Sequence, residues 1–327
     1  MQNSAIRLTS PANRLDGSAI SNISGNQVRI PLKKESLMAA IQVHFSVSQV
    51  GFTVVPTSVD VRRFLQNVAI ETSDGRRVFL TGHQAYDLMR LTADYQPFVS
   101  SSLGATSTAD FTLQVDHWNH NALHGILAAI PAGDLTTFDL VLDMALDTNN
   151  GFIGGTTPGV ATYTINARSI GYPDMLTDPK TGLRNAIVGS MRHVDERVMQ
   201  PGSAGAGTSY DLRLISNNLT RFILLHGFDT AAVAGVNTPS DLVINNVRLT
   251  IGGNEKSIQT FTELRKANGN KRGLNVVGFA CIDFGDDESG WLDLRGVNEP
   301  IISVDIATGA PASYLITLAQ DYTKLLK

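Results

Sequence analysis

The stretch 66-QNVAIETSDGRRV-78 has a second version further along the same chain, 245-NNVRLTIGGNEKS-257. Asn67-Val68 answers Asn246-Val247, an offset of 246 − 67 = 179 residues. Both stretches alternate apolar and polar residues, break at a glycine-containing turn signal (Ser73 to Gly75; Ile251 to Asn254) and resume. Gly75 and Gly252 are expected to supply positive φ in those turns. A helical patch follows each. In 82-GHQAYDLMRLTADY-95 the residues Ala85, Leu88 and Met89 share a stripe, as do Phe261, Leu264 and Arg265 in 260-TFTELRKAN-268. Thr260 and Glu263 have capping-box spacing. The block is strand, tight turn, strand, short helix, and it occurs twice.

Three later pairs extend the match in the same order. The stretch 110-DFTLQVDHW-118 pairs with 278-GFACIDFGD-286, 140-LVLDM-144 with 302-ISVDI-306, and 163-YTINARSIGY-172 with 314-YLITLAQDY-322. Aligning Phe111 with Phe279, Asp143 with Asp305 and Tyr163 with Tyr314 gives offsets of 168, 162 and 151. The first copy therefore has longer loops, expected in 116-DHWNHNALHGILAAIPAGDLTT-137 and 148-TNNGFIGGTTPG-159. A repeat of this length is a duplicated β domain, too long for a solenoid unit. Near 171-GYPDMLTDPKTG-182, prolines and turn formers mark the boundary, giving an N-terminal arm plus first domain over 1–178 and a second domain over 179–327. About eight strand candidates per copy suit an all-β fold: two tandem eight-stranded antiparallel jelly rolls, each with a short helix after the central strand pair.

Bulk properties narrow the function. Of 327 residues, 43% are hydrophobic and 17% charged, which suits a packed globular chain. A formal charge of −4 leaves no basic footprint, so direct nucleic-acid binding is not expected. Cys281 has no second cysteine to pair with and reads as core packing. No apolar run approaches a membrane span, and 1-MQNSAIRLTSPANRLDG-17 has no apolar leader segment. Synthesis is expected in the cytoplasm, which leaves the sequons at Asn22 and Asn218 unused.

Twin jelly rolls with 64-FLQNVAIETSDGRRVFLTGHQAYDLMR-90, 244-INNVRLTIGGNEKSIQTFTELRKANG-269 and 276-VVGFACIDFGDDESGWLDL-294 resemble the double jelly-roll major capsid proteins of tailless icosahedral phages with an internal membrane, the corticovirus-like group. The resemblance runs from about Leu37 onward. It implies a homotrimer whose six jelly rolls form a pseudo-hexagonal tile of an icosahedral shell, without enzymatic activity. It also implies partners in neighbouring trimers and in penton and membrane-associated virion proteins, with a location in the virion capsid after synthesis in the host cytoplasm. The N-terminal arm, residues 1–30, would order on assembly or lie toward the internal lipid membrane, the competing reading being a frayed terminus. Arg7, Arg14, Arg29, Lys33 and Lys34 are candidates to meet acidic head groups, against a competing role as solvated surface.

Chemistry-bearing clusters are few. Asp283, Asp286, Asp287 and Glu288 are hard oxygen ligands that suit structural calcium, although their spacing departs from the EF-hand loop. His117, His120 and His124 are the other metal candidates, without the glutamate of a zinc-protease motif. A solvated loop competes with both readings, and no cofactor is expected. The glycines Gly202, Gly205 and Gly207 lack a surrounding βαβ unit. A carbohydrate-binding sandwich or a metal-dependent jelly-roll enzyme is the alternative function, but Trp118 and Trp291 are a thin aromatic platform.

Overall fold

Period-two alternation becomes antiparallel strand, and the two helices fall where the helical stripes predict them. The computed structural model describes residues 8–11, 20–21, 27–34, 37–50, 65–92, 106–116, 130–144, 161–172, 190–203, 208–233, 236–285 and 290–325. Packing parts the chain into two units, after Arg192. The boundary expected at 178/179 lies outside the described residues.

The first unit contains β1 (Leu8–Pro11), β2 (Ile20–Ser21), β3 (Gln27–Pro31), β4 (Leu37–Val50), β5 (Leu65–Thr72), β6 (Gly75–Leu80), α1 (Gly82–Thr92), β7 (Thr106–Asp116), β8 (Phe138–Met144) and β9 (Ala161–Tyr172). One sheet runs β1-β9-β4-β7, with β2 also on β9, and the other runs β3-β8-β5-β6. The chain then enters β10 (Ser190–Ser203). The second unit continues with β11 (Ser209–Arg213), β12 (Leu219–Val233), β13 (Val236–Pro239), β14 (Ile244–Ile251), β15 (Asn254–Thr260), α2 (Phe261–Arg272), β16 (Phe279–Asp283), β17 (Leu292–Asp293), β18 (Ile301–Ile306) and β19 (Ser313–Leu325). Its sheets run β10-β19-β12-β16 and β11-β18-β14-β15, with β13 and β17 as short additions to β12. Leaving out the short β2, β13 and β17, each unit joins its first, eighth, third and sixth strands in one sheet and its second, seventh, fourth and fifth in the other. That is the jelly-roll order, traced twice by one polypeptide.

Two paired segments correct the expectation of an N-terminal arm over residues 1–30. Leu8–Pro11 pairs with Arg168–Gly171, and Gln27–Pro31 pairs with Asp139–Asp143. Residues assigned to the arm thus supply the first two strands of the first jelly roll, upstream of Leu37, where the resemblance begins. The segment Leu-Thr-Ser-Pro is too short and too polar to show alternation, and its proline is tolerated on an edge strand.

In the second unit, side chains of both sheets form one core. Ile223, Leu225, Ile316 and Leu318 come from one sheet, and Val247, Leu249, Ile302 and Val304 from the other. The first unit buries the equivalents Ile41, Val43, Ile165 and Ala167, with Val68, Ile70, Leu140 and Leu142. Fully burying an aliphatic side chain is worth about 1.5–3 kcal/mol, so these inward positions hold each sandwich together.

Strand registers test the sequence alignment residue by residue. Phe45 pairs with Ile165, and Gly227 with Ile316, which keeps Tyr163 level with Tyr314. Phe45 also pairs with Phe111, whereas Gly227 donates to Gly278 O (2.9 Å). Phe111 therefore corresponds to Gly278, an offset of 167 rather than 168. A one-residue slip turns every side chain to the other face. Phe279 lies on the face of His226, away from the core positions of Ala280 and Ile282. The corrected register matches Asp116 with Asp283. It also raises the length difference between helix and sixth strand from 179 − 168 = 11 to 179 − 167 = 12 residues, in a connection outside the two loops named from the sequence.

Candidate functional site

The doubled block carries the same polar rung in both units. Asn67 pairs with Asp143 across β5 and β8, and Asn246 with Asp305 across β14 and β18. Each pair follows a bulge at the same place, between Leu65 and Asn67 and between Ile244 and Asn246. The Asn67 Nδ2 donates to Asp143 Oδ2 (3.2 Å), and Asn246 Nδ2 to Asp305 Oδ2 (3.3 Å). The neighbouring second strand completes each rung with a different residue. Gln27 donates to Asp143 Oδ1 (2.9 Å); Ser209 pairs with Asp305, and Arg248 donates to Asp305 Oδ1 (2.6 Å) and to Ser209 Oγ (2.9 Å). Burial pushes the Asp305 carboxyl up, but hydrogen bonds from Ser209, Asn246 and Arg248 outweigh it and hold it below the usual carboxylate range.

Hairpin and helix keep step at a constant offset of 179. Ile70 pairs with Val78 and Thr72 with Gly75; Leu249 pairs with Ser257 and Ile251 with Asn254. Both hairpins shift register one residue beyond that first pair, leaving Arg77 and Lys256 as the bulged residues. The turns differ in chemistry. Gly252 and Gly253 have φ of 58° and 78°, the double positive φ of a two-residue hairpin turn. The first turn uses Ser73-Asp74 and places its positive φ, 127°, at Gly75. Gly75 and Gly252 both need positive φ, as the sequence implied, but stand two places apart in equivalent turns. Thr81 and Thr260 cap the helices. Thr81 Oγ1 accepts from Gln84 N (3.3 Å) and Thr260 Oγ1 from Glu263 N (3.1 Å), and the Glu263 carboxylate accepts from Thr260 N (2.9 Å).

The helical faces depart from each other. Ala85, Leu88, Met89 and Leu91 of α1 are buried. Phe261 and Leu264 of α2 are buried, but Arg265, placed on that stripe by the sequence, is half-buried and ion-pairs with Asp241. Asn268 takes the inward position instead. Its Nδ2 donates to Cys281 O (2.9 Å), and Cys281 N donates to its Oδ1 (2.8 Å). The Cys281 thiol is buried, which pushes its pKa well up.

Of the candidate calcium ligands, Asp283 is taken up by the protein. Its Oδ2 meets Lys271 Nζ (2.8 Å) and Arg272 Nε (3.0 Å), and its Oδ1 accepts from Gly285 N (2.7 Å). Burial raises this carboxyl and those hydrogen bonds lower it, leaving a net depression. Asp286, Asp287 and Glu288, together with His117, His120 and His124, lie outside the described residues. Among the described residues no group of three or more His, Cys, Asp or Glu side chains could hold a metal. Trp291 is buried and donates to Gly285 O (3.1 Å), so it forms no aromatic platform.

Two cations offered to lipid are engaged elsewhere. Arg29 bridges Asp139 (2.8 Å) and Glu71 (2.7 Å), and Lys34 donates to Thr136 O. Asn218, in one of the sequons, is fully buried with its Nδ2 donating to Ile215 O (2.6 Å), which withdraws the atom a glycan would need. Sequence reading missed these partnerships because they join residues up to 116 positions apart, as in Gln27 with Asp143. The Thr81–Gln84 cap was legible in the same spacing as Thr260–Glu263.

No protein-family model and no curated protein sequence matches the chain. Solved structures do. The MCP of STIV, Sulfolobus turreted icosahedral virus, superposes with a TM-score of 0.70 at 13% identity, over 97% of this chain and 96% of that one. The major capsid protein P2 of bacteriophage PM2 gives 0.60 at 10%, over 98% of both chains. The capsid of PBCV-1 gives 0.62 at 14%, over 99% and 95%. The fold is the double jelly roll of major capsid proteins.

Proposed function

We propose that this chain is a viral major capsid protein, a homotrimeric, pseudo-hexagonal building block of an icosahedral shell around an internal membrane. One observation carries the reading. A single polypeptide traces the jelly-roll strand order twice, with matching registers, and nearly its whole length superposes on nearly the whole length of three capsid proteins. A duplicated subunit offers six similar sides when three copies close a ring. The inward positions are apolar, and the shared polar groups bond to neighbouring strands and helix starts, as rigidity requires. Neighbouring trimers, a penton protein and membrane-associated virion proteins are the expected partners. The virion is the expected location, after synthesis in the host cytoplasm. Arg7, Arg14 and Lys33 remain the candidates for lipid contact.

Size-exclusion chromatography with light scattering on the purified chain tests the trimer. The expected mass is near three times 35.1 kDa. A monomer at all concentrations overturns the trimer, and closed shells in electron micrographs of the assembled protein support the coat.

A further inference from the structure

The geometry points to α2 being a releasable strap that closes the open edge of β16 through polar contacts, independently of the coat reading. β16 is the terminal strand of its sheet order, and Cys281 pairs with Leu224 on its inner side. The Cys281 N–H and C=O point outward from β12. Among the described residues they meet no further strand; the Asn268 amide bonds both, as a neighbouring strand would. An exposed strand edge is a template for unwanted pairing, and one helix side chain closes it here.

What holds the strap is uneven along its length. Phe261 and Leu264 anchor its first turn in the core. Beyond them the inward residue is Asn268, and the last turn is tied by Lys271 and Arg272 to Asp283. In α1 the positions matching Ala267, Asn268 and Asn270 are Leu88, Met89 and Leu91, all buried. The second half of α1 is thus held by apolar burial and that of α2 by hydrogen bonds and charge. Gly269 lies inside α2, and a helix-interior glycine favours opening relative to alanine. The second half of α2 should open as a unit while the sandwich beneath stays folded.

Hydrogen exchange on the full chain tests this, comparing the Cys281 amide with Leu224 and Leu225 in β12. In Asp283→Asn, Cys281 exchange should rise about ten- to hundredfold, the loss of a charged hydrogen bond, while β12 is unchanged. Asn268→Leu should act on the same amide. Equal acceleration in β16 and β12, or none in β16, overturns the strap. If a variant does not fold, the unaltered chain is measured in urea below its transition. A shallower urea dependence at Cys281 than in β12 supports local release, and the same slope overturns it.

Discussion

At positions 89 and 268 the two halves of this molecule put a methionine and an asparagine into one structural slot. Around that slot the pairing hardly changes: hairpin register, bulge, threonine cap and helix run in step at an offset of 179 from Val68 to Met89. The side chains that seat the helix do change. In the first corner Leu88, Met89 and Leu91 are buried; in the second, Asn268 bonds a strand edge and Asp283 clamps the last turn. Strand order and register tolerate either solution because the hydrogen-bonded frame and the inward face of the sheets already specify the fold. Positions kept in both copies, such as Asn67/Asn246, Asp143/Asp305 and Thr81/Thr260, mark what the frame needs.

The largest expected effect separates Phe111 from its counterpart Gly278. A Cβ on Gly278 would lie 2.5 Å from Ser240 N and 2.7 Å from Gly227 O, and its φ is +71°. Backbone on both sides cannot yield as a side-chain tip would. Gly278→Ala should destabilise the second unit by about 2–5 kcal/mol, combining left-handed strain with overpacking. Segment-resolved hydrogen exchange in urea should show loss in β12 and β16 and little change in β4 and β5. A stable variant would mean that Gly278 is neither crowded by Ser240 and Gly227 nor held at positive φ.

Next come the two turns. Gly75→Val and Gly252→Val should each cost about 1–3 kcal/mol, since valine resists positive φ and nothing else crowds either site. Each variant should weaken its own unit. If both leave exchange in their hairpins unaltered, the turn chemistry assigned to the pair is wrong. Thr81→Ala and Thr260→Ala should cost about 1 kcal/mol each, read as faster exchange in the first turn of α1 and of α2. The two should cost alike, because the backbone N–H at 260 keeps its bond to the Glu263 carboxylate in the alanine variant.

The inward face was legible because strand alternation is a local signal. Val68, Ile70, Val247 and Leu249 can be marked from any four neighbouring residues. The hairpin–helix block was legible for a different reason: two copies of one spacing reinforce each other. Pairing Phe111 with Phe279 failed because alternating strands look alike after a one-residue slide, and only the hydrogen-bond register to β12 fixes the phase. The rungs on Asp143 and Asp305 were half legible. Their asparagines repeat in sequence, but Gln27, Ser209 and Arg248 reach them only after the sheet has formed. The first strand, Leu8–Pro11, was illegible because four residues carry too little pattern to outweigh their polarity.

Acid gives the smallest and most selective comparison. The Asp305 carboxyl sits below its ordinary value in the folded chain, so the unfolded chain takes up the proton first as pH falls. Its contribution to stability is complete above the unfolded carboxylate pKa of about 3.9 and drains away as pH falls through the lower folded value. Asp305→Asn keeps the shape but removes this titration, and Arg248 loses its ion pair. The variant should therefore be weaker than the original at pH 7, by about 1 kcal/mol or less for a pair with this much solvent access. The gap should narrow below pH 4, measured as urea midpoints of exchange in β14 and β18. No gap at pH 7, or one that stays constant down to pH 3, would mean that the charge of Asp305 does not stabilise the rung it forms with Asn246 and Ser209.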